Sequence, residues 1–106
     1  MFNDSSQQDQ LIRAVKPEVL RRAAEIIRML GHPGRLKIVE VLEHGEASVG
    51  EIQKAVGLKQ AIVSQHLAKM RATGILEARR DGQNVYYRVV EPKVRHILQC
   101  IRSCDM

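Results

Sequence analysis

The sequence predicts a mainly α-helical domain carrying one small β-hairpin, with elements in the order α-α-α-α-β-β-α. Three observations lead there. Apolar residues recur at helical spacing in segments ahead of Gly74 and again after Pro92. Glycine-containing breaks separate the early segments. Between Gly74 and Pro92, "ILEARR" and "NVYYRVV" flank "DGQ", and Asp-Gly beside a Val- and Tyr-rich run is a strong hairpin signal.

Residues 1–10, "MFNDSSQQDQ", read as a polar, mobile tail, and residues 11–106 as a single domain. The first helix starts near Pro17, a favourable first-turn residue. It continues through "EVLRRAAEIIRML", where Leu20, Ala23, Ala24, Ile27 and Leu30 share helical spacing. "GHPG" breaks it. The second helix is "RLKIVEVLEHG", with Leu36, Ile38, Val39 and Leu42 inward and Gly45 closing it. Ser48 is a good N-cap and Glu51 follows three residues later, which makes a capping box. The third helix is therefore about 49–56, "VGEIQKAV", and Gly57 ends it.

A turn of a few residues, "GLKQ", leads into a fourth helix at about 60–73. Two short helices joined by such a turn, about 48–73 together, resemble a helix-turn-helix. The hairpin strands are expected at about 75–80 and 85–90, and Pro92 opens a last helix, "KVRHILQCIRSC".

Composition narrows the function. Hydrophobic residues make up 44% and charged residues 27%, which is globular rather than disordered. Aromatics at 3% are too few for base-stacking platforms on single strands. Seventeen Lys and Arg oppose 12 Asp and Glu, a net charge of +5. The excess is concentrated: from Lys59 to Arg88 six basic residues face two acids, Glu77 and Asp81. A polyanion is the natural partner. No apolar run approaches the ~20 residues that span a bilayer, and the N-terminus does not resemble a signal peptide. We therefore expect a cytoplasmic protein with reduced cysteines and no membrane partner. Neither a nucleophile-base pair nor a phosphate-cradling loop is visible, so no enzyme is expected.

The fourth helix has two unlike sides. Val63, Leu67 and Met70 fall within about 60° of one another and form a core stripe. Ala61, Ser64, Gln65, Ala68 and Ala72 fall on the other side, with Lys69 and Arg71 at its margins. Small residues let a backbone approach another surface closely. The DNA major groove admits a helix and is read by hydrogen-bonding side chains near its N-terminus. Gln60 and Gln65 can pair with adenine edges, Ser64 can reach base or phosphate, and Ala61 can touch a thymine methyl. Ser48, Lys59 and Lys69 can hold the backbone. In a winged helix-turn-helix, a hairpin following the recognition helix lays its tip on DNA. Arg79, Arg80, Gln83 and Asn84 suit that task. A helix-helix contact and an ordinary charged hairpin remain the alternatives. His66, one step from the core stripe, reads as a boundary residue bonded to a neighbouring helix rather than a ligand.

"LGHPGRLKIVEVL", "SVGEIQKAVGLKQAIVSQHLAKMRATGIL" and "RRDGQNVYYRV", spanning about residues 29–90, carry a resemblance to the ArsR/SmtB family of bacterial repressors. The resemblance implies a winged helix-turn-helix, a homodimer held by its first and last helices, and a palindromic double-stranded operator released by an effector. The family's base-reading positions fall on Gln60, Ala61, Ser64 and Gln65. Its second position is often Ser, so Ala61 is expected to alter readout at one base.

Metal-sensing relatives often carry Cys-x-Cys in the third helix, but "ASVGEIQKAVG" has none. The Asp, His and Glu pattern that other relatives use for zinc or nickel in the last helix is also not visible. What remains is "HILQCIRSC". His96, Cys100 and Cys104 are spaced i, i+4, i+8 and are expected to form a ridge beside Val94, Ile97, Leu98 and Ile101. A thiol pair at that spacing can chelate a soft ion such as a trivalent arsenical. It can instead act as a redox or persulfide switch, or be incidental. An effector-independent regulator and a protein-interaction module on the same fold complete the alternatives.

Overall fold

The computed structural model describes residues 14–104. The expected N-terminal tail lies outside them. Among these residues five helices and three strands follow in order: α1 Pro17–Leu30, α2 Pro33–Leu42, β1 Ala47–Ser48, α3 Val49–Val56, α4 Gln60–Ala72, β2 Leu76–Asp81, β3 Asn84–Val89 and α5 Pro92–Ser103. The fold is a winged helix, and no helix among the described residues is long and apolar enough to cross a membrane.

Local chemistry accounts for most boundaries. Pro17, Pro33 and Pro92 open α1, α2 and α5, where a missing N–H goes unpunished. α2 starts two residues earlier than the periodicity suggests. His32 caps it by accepting from the Gly34 amide at 3.1 Å, so Pro33 and Gly34 form its first turn rather than prolonging the break. The capping box of α3 is present in both directions, Ser48 to Glu51. Those bonds hold the Glu51 carboxyl below its ordinary pKa. Gly57, at φ 71°, closes α3 in the left-handed conformation that glycine adopts without a steric penalty.

Each hairpin strand lies one residue nearer the turn than expected, Leu76–Asp81 and Asn84–Val89. Asp81 pairs with Asn84, so Gly82 and Gln83 alone make the turn. β1 was not foreseen. Ala47 and Ser48 pair antiparallel with Tyr87 and Tyr86, giving a three-stranded sheet in the order β1-β3-β2. Two residues are too few to show a period, and their pairing partner is remote in sequence.

One core joins the elements. Ile26 and Leu30 of α1, Ile38, Val39 and Leu42 of α2, Ile52 and Val56 of α3, and Val63, Leu67 and Met70 of α4 are buried with Ile75, Leu76, Val94 and Leu98. The single stripe expected on α1 splits over two faces. Ile26 and Leu30 face the core, whereas Leu20 and Ile27 are 56% and 61% exposed and Ala24 is exposed beside them. The helix has two apolar faces, and spacing alone merged them. On α5 the apolar stripe Val94, Ile97, Leu98 and Ile101, expected as a dimer seam, is corrected in part: Val94 and Leu98 are buried in the chain's own core, and Ile101 stays exposed.

Candidate nucleic-acid interface

α4 presents the two sides that its sequence implies. Val63, Leu67 and Met70 are fully buried. Gln60, Ala61, Ser64, Gln65, Ala68, Lys69, Arg71 and Ala72 are all exposed. No side chain among the described residues caps the N-terminus of α4, and its first turn carries no acid. The Gln60 and Ala61 amides have no intrahelical acceptor, and they add positive potential at this end. Ile62, 40% exposed, lies on the Lys69 flank of the same helix. An isolated exposed isoleucine breaks no sequence pattern, so nothing in the sequence marks it.

Beneath this face His66 locks the helix in place. It is 7% exposed, more buried than the expected boundary position. Its Nδ1 accepts from Arg35 Nε of α2 at 3.1 Å, and the His32 ring packs edge-on at 4.5 Å between centroids. Arg35 also donates to the Met29 carbonyl of α1 at 3.2 Å. The Nε2 of His66 is buried, and among the described residues no partner engages it. Because Nδ1 accepts, Nε2 carries the proton of a neutral ring. Burial lowers the pKa of His66, and nearby His32, Arg35 and Lys69 lower it further.

Ser48 sits at the start of α3 with its hydroxyl oxygen accepting the Glu51 amide at 3.2 Å, which leaves the hydroxyl hydrogen to donate elsewhere. Lys59 is exposed at the N-cap of α4.

The wing divides its two arginines. Successive residues of a strand face opposite sides. Arg79 lies over the Tyr86 ring at 5.0 Å and donates to Glu46 through Nε at 3.2 Å. Beside it Arg88 pairs with Glu77 at 2.8 Å. The Glu46 carboxyl is held below its ordinary pKa by Arg79. That outer side is largely neutralised by the protein itself. Arg80 lies on the other side, in line with Ala78 and buried Leu76, and is exposed. Among the described residues no ion pair engages it. Gln83 and Asn84 are exposed at the tip.

The C-terminal residues do not form the full helical ridge that their spacing suggests. His96 and Cys100 are exposed on α5. Cys104 is exposed too, but it is the C-cap, with extended backbone at φ −75° and ψ 130°, so it does not continue the helical ridge. No group of three His, Cys, Asp or Glu side chains that could hold a metal occurs among the described residues.

Comparison with known proteins agrees with this geometry. Residues 32–78 match the family described as bacterial regulatory protein, arsR family. The transcriptional repressor PagR of Bacillus anthracis is 40% identical over 79 residues, 74% of this chain and 79% of that protein. The biofilm growth-associated repressor of Xylella fastidiosa is 37% identical over 78 residues, 74% of this chain and 68% of that protein. The crystal structure of the transcriptional repressor BigR from Xylella fastidiosa superposes with a TM-score of 0.75 at 33% identity, covering 88% of this chain and all of that one. The chain therefore belongs to the ArsR family of bacterial regulatory proteins, as a DNA-binding transcriptional repressor and not an enzyme.

Proposed function

We propose that the chain acts as a homodimer, bound to a palindromic operator through α4 and released when an effector engages the thiols of Cys100 and Cys104. The observation that carries the DNA contact is the exposed, small and hydrogen-bonding face of α4, Gln60, Ala61, Ser64 and Gln65, with its uncapped N-terminus. A groove-reading helix needs amide and hydroxyl groups that reach base edges and no bulk that holds the backbone away. Arg80, Gln83 and Asn84 at the wing tip, with Ser48, Lys59 and Lys69, supply backbone contacts. Arg79 adds charge there only by leaving Glu46.

Support for the dimer comes from apolar surface. Leu20 and Ile27 on α1 and Ile101 on α5 are large and exposed in the single chain. Such side chains mark a surface that a second copy covers. Support for the effector site is chemical. Two exposed thiols four residues apart, with His96 a further turn back, offer soft donors. A trivalent arsenical or another soft metal is the preferred ligand, and partner thiols would complete its coordination across the two-fold axis. Cys104 sits on extended backbone, free of helical geometry, and this favours a second reading in which the two thiols are oxidised together or persulfidated.

The test begins with selection of duplexes from a randomised library. A palindromic site is expected, with log affinity falling against log salt by about 0.9 for each phosphate neutralised. Binding indifferent to salt and sequence would favour a protein-interaction module. Replacing Cys100 and Cys104 with Ser is expected to preserve operator binding and abolish release by arsenite. Peroxide or polysulfide releasing the wild type where arsenite does not would select the redox reading. Normal release of the double variant would remove the thiol site altogether.

A further inference from the structure

Arg22 stands where α1 first meets its own chain. Every residue of α1 before it, 17–21, is exposed, and Ile26 enters the core one turn later. Its Nη1 donates to the Thr73 carbonyl at 2.7 Å. Thr73 is the C-cap of α4, so that oxygen is one of the acceptors a helix end leaves unsatisfied. The same guanidinium donates through Nε and Nη2 to Glu91 Oε1, each at 3.3 Å. Glu91 is the N-cap of α5, and its other oxygen accepts the Lys93 amide at 3.2 Å. The Glu91 side chain is only 9% exposed. Glu25, one turn along α1, also pairs with Arg22 and steadies it. Gly74, at φ 85°, takes the left-handed turn that brings the end of α4 beside the guanidinium, a conformation glycine adopts without a steric penalty.

One rigid, planar group therefore ties α1, the end of the reading helix and the start of the last helix together. The shorter bond, to the Thr73 carbonyl, is the tighter of these. A lysine could not replace it, because a point charge cannot hold a carbonyl and a carboxylate in fixed directions at once. We propose that Arg22 is a positioning residue for operator recognition: it fixes the angle between α4 and the two dimer helices, and so the distance between the paired reading helices. This rests on the reading of α4 and the dimer given above. A two-fold dimer reads half-sites one helical turn apart, so a small rotation of α4 about that tie changes which spacing fits. The tie is also where a rearrangement of α1 or α5 would reach α4 without touching its reading face.

The experiment measures affinity of the full chain, wild type and Arg22→Ala, for three duplexes by fluorescence anisotropy. These are the selected palindrome, the palindrome with one base pair inserted at its centre, and a single half-site. Sedimentation velocity confirms that each protein is a folded dimer at the concentrations used. Arg22→Ala is expected to lose about tenfold on the palindrome, to keep half-site affinity within about twofold, and to discriminate less against the expanded site. Arg22→Lys is expected to rescue only part of the loss. A residue that merely stabilises the fold would weaken all three duplexes in proportion, and that result overturns the proposal. If Arg22→Ala does not form a dimer, Glu91→Gln carries the same comparison, since it removes the charge and keeps an acceptor. Unchanged ratios in both variants likewise overturn it while leaving the reading of α4 standing. Failure of the wild type to bind any duplex removes that reading, and the positioning role with it.

Discussion

Two exposed helix faces of this molecule have opposite chemistry. The outer face of α1 carries Leu20 and Ile27, large and more than half exposed. The outer face of α4 carries Ala61, Ser64, Gln65, Ala68 and Ala72, also exposed but small or polar. Burying the first gains hydrophobic free energy, so it suits another apolar protein surface. Burying the second gains little of that kind. Its value lies in close approach and in hydrogen bonds to a hydrated, patterned partner. Exposure alone thus does not identify an interface. The side chains decide what covers it.

Mutations that exchange these properties test the contrast most strongly. Leu20→Glu with Ile27→Glu is expected to dissociate the dimer. Each lost side chain forfeits about 1.5–3 kcal/mol of burial, so the dimer should weaken by at least ~100-fold in sedimentation equilibrium. Gln65→Ala should cost about 1–3 kcal/mol of operator affinity and relax base preference at one position, read by repeating the duplex selection, with dimerisation unchanged. A Gln65 variant that lost affinity for all sequences alike would mean that α4 does not read bases.

A smaller effect separates the wing arginines. Arg80→Ala is expected to weaken all duplexes about equally and to reduce the salt slope by about 0.9. Arg79→Ala should do less, because Glu46 already neutralises Arg79. Equal effects from the two would show that the ion pair opens on DNA.

The smallest effect lies beneath the reading face. His66 has a lowered pKa in the folded chain, so the unfolded chain binds the extra proton first as pH falls. Its stabilising contribution is intact above the ordinary histidine pKa of about 6.5 and declines as pH drops toward the folded value. In urea titrations from pH 7.5 to 5.5, the wild type should lose more stability than His66→Gln. Parallel pH profiles would mean that the imidazole does not titrate in this range.

The parts legible in the sequence were those set by neighbours along the chain. The Ser48–Glu51 capping box, Gly57 and the α4 core stripe are local, and the structure has them as read. Contacts between distant segments were not legible. The Arg79–Glu46 pair, the β1–β3 pairing and the Arg22–Glu91 tie join residues 33 or more positions apart, and no period or spacing announces them. On α1 the pattern was visible but ambiguous. Leu20, Ala24 and Ile27 obey the same 3.6-residue period as Ile26 and Leu30, and a period cannot say which body covers a face. The site was legible on α4 because its face lacks the long charged residues that solvent alone would favour. The role of Cys100 and Cys104 was least legible, since thiols at that spacing fit several chemistries.

The contrast between the two faces meets its most direct test in nuclear magnetic resonance of the dimer titrated with the selected duplex. The side-chain amide signals of Gln60, Gln65 and Asn84 are expected to shift on binding, while the methyl signals of Leu20 and Ile27 respond to dilution and not to DNA. Methyl shifts at Leu20 and Ile27 with the α4 amides unmoved would place the duplex on the wrong helix and contradict the account.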